Sequence, residues 1–100
     1  MKAIHDVLEE LKNANSPVAR AIHKGHHFKV LALGFNKGMV LQDHKTHTPS
    51  KLTVLYGAIN YIEEGKPILA RQYDEIEIPL EITHSVHALE DSLCLLTQGH

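Results

Sequence analysis

Gly38-Met39-Val40-Leu41-Gln42-Asp43-His44-Lys45-Thr46-His47-Thr48-Pro49-Ser50-Lys51-Leu52-Thr53-Val54-Leu55-Tyr56-Gly57 opens on a turn glycine and runs through a short apolar segment into two histidines. It then bends at Thr48-Pro49 and returns through alternating residues to a second glycine. The same punctuation recurs on both sides, at Lys24-Gly25, Asn36-Lys37-Gly38, Glu64-Gly65 and Pro79. Short apolar runs separated by turns about every ten residues are the pattern of an antiparallel sandwich or barrel. Strands are expected over residues 18–23, 27–35, 38–43, 52–62, 67–71, 74–78, 84–88 and 92–97, about eight in all.

Within these strands the period-two alternation places Ile76 and Ile78 on an inward face, with Glu75 and Glu77 outward. Phe28 to Phe35 and Leu93 to Leu96 are apolar on both faces, which suits strands packed between a core and either a helix or a second subunit. The period differs at the start of the chain. Ile4, Val7, Leu8 and Leu11 fall at i, i+3, i+4 and i+7, an amphipathic helix over 4–11 that ends before Pro17. The expected organisation is one domain over residues 1–100, with the helix in 1–15 and the β-barrel in 18–97. No repeat, linker or low-complexity tract interrupts it.

A 100-residue chain with 43% hydrophobic and 22% charged residues is long and apolar enough to bury one core, and too short for two. Ten Lys and Arg against twelve Asp and Glu leave a formal charge of −2, with the cations scattered among acids, so no phosphate-binding surface is built and nucleic acid is not an expected partner. No apolar run approaches the ~18 residues of a membrane span, and no secretory h-region follows Met1, so a cytoplasmic location is expected. Cys94, alone among Leu93, Leu95 and Leu96, reads as a small buried hydrophobe in a reducing compartment. Nine histidines make imidazole the side chain to follow.

A second stretch, Tyr73-Asp74-Glu75-Ile76-Glu77-Ile78-Pro79-Leu80-Glu81-Ile82-Thr83-His84-Ser85-Val86-His87-Ala88-Leu89-Glu90-Asp91-Ser92, pairs with the first. Together they resemble the two motif regions of the cupin superfamily. Gly38, His44 and Gly57 fall on the spacing of the first motif, while Thr46 stands where its second histidine belongs and Ser50 where its glutamate belongs. In the second motif Pro79 and His84 match; Tyr73, Glu81 and Ala88 replace two glycines and an asparagine. The resemblance covers residues 27–97. It implies an all-β fold of the RmlC-like type, a double-stranded β-helix or jelly-roll barrel with one short N-terminal helix, whose interior holds one divalent metal on histidines of neighbouring strands.

Independently of family, a transition metal needs neutral imidazoles or carboxylates converging from different strands, and His44 and His84 qualify as the central pair. His47 is out of phase with His44 in a regular strand, but a bend at Thr48-Pro49 swings it inward as a third ligand. The expected cofactor is therefore a divalent transition metal on His44, His47 and His84, with iron, manganese, zinc and nickel not distinguished. Thr46, Ser50 and Tyr56 are the candidate lining of a substrate pocket, and dioxygenase-type chemistry on a small molecule is one expected use. His87, three residues from His84, faces the other way.

The alternative is a barrel without metal, in which the histidines supply polar contacts to a small organic ligand in a binding or sensing module, or simply satisfy one another in a filled barrel. The expected partners are a small molecule and a second copy of the chain, because a small barrel with open edges favours a homodimer. No nucleophile elbow, phosphate loop or paired-carboxylate pattern is present.

Overall fold

The computed structural model describes residues 2–99, so the two ends of the expected domain span, Met1 and His100, lie outside the described residues. The chain runs α1 (Ala3–Leu11), β1 (Val18–Lys24), β2 (Phe28–Phe35), β3 (Val40–His44), β4 (Ser50–Tyr56), β5 (Ala58–Glu63), β6 (Lys66–Arg71), β7 (Glu75–Ile78), β8 (His84–Ala88) and β9 (Ser92–Gly99). The strands form two antiparallel sheets, one in the order β1-β2-β9-β4-β7 and the other in the order β3-β8-β5-β6. No described helix is long and apolar enough to cross a membrane.

The alternating residues close the core between the sheets. Leu33, Phe35, Leu52, Val54, Ile76, Ile78 and Cys94 from the first meet Ile59, Tyr61, Ala70, Val86 and Ala88 from the second. Burial holds the Cys94 thiol up at a pKa of about 12, so it is a packed hydrophobe rather than a nucleophile.

A second apolar cluster lies on the outside of the larger sheet, where Val7 and Leu11 of α1 cover Val18, Ala32 and Leu93. This explains the doubly apolar strands: one face of β2 and β9 meets the barrel core and the other meets the helix. The covering stripe is narrower than the sequence suggests, since Leu8 faces solvent. Gly34 makes the close approach possible. A Cβ at that position would lie 2.5 Å from Val7 Cγ1 and 2.7 Å from Leu11 Cδ1.

One expected strand is two. Residues 52–62 break at Gly57, whose φ of 90° takes the chain from β4 in one sheet to β5 in the other. A side chain there would also sit 2.3 Å from Ser92 Oγ. The apolar pattern continues through the corner because both strands are half buried, so hydrophobicity alone does not mark it. The result is nine strands among the described residues instead of eight.

The helix contact can be tested directly. Gly34→Ala should push α1 off β2 and lower unfolding stability by about 1–3 kcal/mol, as measured by urea denaturation. An unchanged denaturation midpoint would show that the helix packing is loose.

Candidate functional site

β8 is the middle of three strands, and its first residue sets the site. His84 pairs in register with His44 on β3 and with Glu63 on β5. Directly opposed residues of antiparallel strands project to one face, so these three side chains form a rung across one end of the barrel. His44 reaches it through an irregularity in the β3–β8 register between Leu41 and His44. Leu41 packs against the core, and without that shift His44 would point away from it.

The two imidazoles meet. Their ring centroids are 4.2 Å apart, with the planes inclined at 59°. His84 is 3% exposed and lies beneath the exposed His44, so the pair straddles the rim rather than the deep interior. Each ring is fixed by the backbone two residues before it: His44 Nδ1–H donates to the Gln42 carbonyl at 2.9 Å and His84 Nδ1–H to the Ile82 carbonyl at 3.1 Å. A carbonyl only accepts, so both neutral rings are the Nδ1–H tautomer and carry their lone pairs on Nε2. No hydrogen bond among the described residues engages either Nε2. Because no buried side-chain nitrogen or oxygen there lacks a partner, His84 Nε2 opens to the surface.

Burial lowers the His84 pKa below the ordinary value of 6.5. The hydrogen bond to Ile82 opposes that shift, His44 reinforces it, and Glu63 and Asp43 work against it. Below the rim, Tyr61 is completely buried and stacks on His84, with ring centroids 5.6 Å apart and 27° between planes. Its hydroxyl donates to Glu63 Oε1 at 3.0 Å. Burial, helped by that carboxylate, holds the phenol well above its usual pKa and keeps its proton in place.

His47 is not brought to this pair. β3 ends at His44, and in the loop that follows Thr46 is buried while His47 is exposed, its Nδ1 2.5 Å from Glu81 Oε1. Thr46 and Ser50 are buried at the same end of the barrel, 3.1 Å apart, and both donate to the Thr48 carbonyl. Gln98 Nε2 donates to Ser50. Tyr56 lies elsewhere. It is 39% exposed beside the Gly57 corner, and Ala58, just beyond that corner, is five residues from Glu63 along β5, about 17 Å at ~3.4 Å per residue.

Sequence reasoning missed Tyr61 and Glu63. In one unbroken 52–62 strand Tyr61 has the parity opposite to Leu52 and Val54, whereas the corner at Gly57 resets the count and turns it inward. Among surface depressions of about 260, 610 and 290 Å³, His44 and His84 line none, while Ser50 lines the first.

Known structures share this architecture. An RmlC-like cupin protein from Desulfovibrio desulfuricans superposes with a TM-score of 0.77 at 24% identity, over 84% of this chain and 82% of its own. The chain has the cupin fold. A protein with a double-stranded β-helix domain from Klebsiella pneumoniae matches with a TM-score of 0.80 at 16% identity, over 93% of this chain and 85% of its own. A cupin 2 conserved barrel domain protein from Leptotrichia buccalis matches at 0.79 and 25% identity, over 88% of this chain but 43% of its own. No protein-family model and no curated protein matches the chain.

Cupin barrels often hold metals, and the donor set of this one can be compared with what a metal needs. A first-row dication generally takes three or four protein donors. Here two imidazoles present free lone pairs, and among the described residues no three His, Cys, Asp or Glu side chains are grouped closely enough to hold a metal ion. The residues as placed do not make a resident metal site.

The depressed pKa of His84 has a definite sign. The unfolded chain binds this proton more readily than the folded one, so the stability linked to His84 is complete above about pH 6.5 and is lost as pH falls through the lowered folded value. In the presence of a chelator, wild type should lose more stability between pH 7.5 and 5.5 than His84→Gln does. Equal slopes in chemical denaturation would contradict the assignment.

Proposed function

We infer that this small cupin-domain protein is a small-molecule binding module whose recognition groups are His44 and His84 at the barrel rim, and that it works without a resident metal. One observation carries the reading: two adjacent imidazoles, each locked through Nδ1 to its own backbone, keep both Nε2 lone pairs uncommitted. Such groups accept hydrogen bonds, so the ligand they suit carries N–H or O–H donors. The barrel beneath is filled by Tyr61, Phe35, Ile59 and Leu52, which confines the ligand to the mouth.

The same observation favours a second reading. Anchoring Nδ1 on a carbonyl is how proteins orient a metal-binding histidine, and a divalent ion held by His44 and His84 would gain a third donor if His47 left Glu81. Elemental analysis of protein purified without a metal column separates the two readings. Metal far below one equivalent supports the first. About one equivalent, lost in His44→Ala, supports the second. For the ligand, a fragment screen read on the histidine ring resonances should yield donor-bearing compounds that move His44 and His84 together and stop binding in His44→Ala. A screen with no such compound overturns the reading.

The module is also proposed to be a homodimer. Since α1 covers the apolar outer face of β2 and β9, the support comes from elsewhere: Ile68 and Leu69 on the edge strand β6 are each about half exposed. Light scattering should give twice the chain mass, and Leu69→Lys should give a monomer. A monomeric wild type refutes the dimer.

A further inference from the structure

The polar groups at the mouth are unbalanced, because almost every hydrogen they own is already spent. The Tyr61 hydroxyl gives its proton to Glu63, Thr46 and Ser50 give theirs to the Thr48 carbonyl, and His44 and His84 give their Nδ1 protons to Gln42 and Ile82. What the rung presents outward is therefore lone pairs and negative charge: Nε2 of His44, Nε2 of His84, and the Glu63 carboxylate, whose second oxygen has no partner among the described residues. The carboxylates acting on the His84 ring are those of Glu63 and Asp43. Lys66 stands opposite Glu63 on β6, yet no lysine or arginine among the described residues lies within ion-pair distance of Glu63 or Asp43.

We propose that the mouth recognises a small organic cation, an amine that places N–H donors on the Nε2 atoms of His44 and His84 and its positive charge beside Glu63. This rests on the metal-free binding reading above and adds the ligand's charge to it. A neutral polyol would satisfy the imidazoles but would gain nothing from the carboxylate, and an organic anion would meet lone pairs and a like charge with no donor to receive it. Tyr61 takes the part of a positioning residue: its buried hydroxyl holds Glu63 at the rim, on the face that carries His84. Adjacent strands lie ~4.8 Å apart, so the rung from His44 to Glu63 spans about 10 Å, a distance suited to a short aliphatic diamine or amino alcohol rather than to a single ammonium ion.

Three matched probes test this at pH 8 with chelator present: 1,3-diaminopropane, 1,3-propanediol and malonate, each titrated while the histidine ring resonances are followed. The diamine should shift His44 and His84 saturably and bind at least about tenfold more tightly than the diol, with malonate silent. Glu63→Gln leaves an amide oxygen for the Tyr61 hydroxyl and so preserves the packing. It should remove about tenfold of the diamine affinity while leaving the diol unchanged, and Lys66→Met should strengthen the diamine. If the diol binds as tightly as the diamine, or Glu63→Gln leaves the diamine unaffected, the cation assignment fails while the histidine site stands. Preference for malonate, or a diamine that moves neither ring, overturns the proposal; malonate preference also removes the donor-ligand reading on which it rests.

Discussion

The site depends on the pairing of one residue. His84 begins the strand that lies between β3 and β5, so whatever stands opposite it on either side must share its face. That constraint gathers His44, His84 and Glu63 into one line although they are spread over forty positions of sequence. It also decides what cannot join. A residue one step out of register on any of the three strands faces the other way, and no side-chain rotation brings it back. His87 on β8 is excluded on this ground, whereas His47 lies beyond the end of β3, exposed and beside Glu81.

The donor set also differs from that of the cupin motif. The two positions where the cupin motif would carry further ligands hold Thr46 and Ser50, both buried. Losing ligands from buried positions is costly if polar remnants are left unpaired. Here the two hydroxyls donate to the Thr48 carbonyl, Thr46 Oγ1 accepts from the Thr48 N–H, and Ser50 Oγ accepts from Gln98 Nε2. No orphaned acceptor remains among these residues to point at a cation. The free lone pairs lie on the rung of His44, His84 and Glu63, and among the described residues no three such side chains are grouped closely enough to hold a metal ion.

Much of the architecture was legible because turn residues and alternation are local signals. Lys24-Gly25, Asn36-Lys37-Gly38 and Glu64-Gly65 each mark a real strand boundary, and Ile76 and Ile78 face inward as their spacing requires. The pairing of His44 with His84 was likewise readable from two motif spacings. The failures share one cause, a reset of parity that hydropathy does not record. Gly57 turns a corner inside an unbroken apolar run, so Tyr56 is exposed beside the corner while Tyr61 is buried against His84. The register shift before His44 has no glycine or proline within it; pairing does stop ahead of Thr48-Pro49, but His47 stays exposed there beside Glu81.

These misplacements show why a barrel site is harder to read than a barrel. A strand survives a one-residue error in its limits because hydrophobic residues on both sides still find something apolar, here the core on one face and α1 on the other. A polar rung does not, since each one-residue error exchanges a histidine for its neighbour. Tyr61 illustrates the consequence. Once the corner at Gly57 is known, alternation along β5 alone places Ile59, Tyr61 and Glu63 on the inner face, with the phenol beneath His84 and the carboxylate beside it. The chemical character of the mouth then follows from hydrogen-bond direction: when a buried hydroxyl donates to the carboxylate and backbone carbonyls take the imidazole protons, the atoms left facing solvent can only accept.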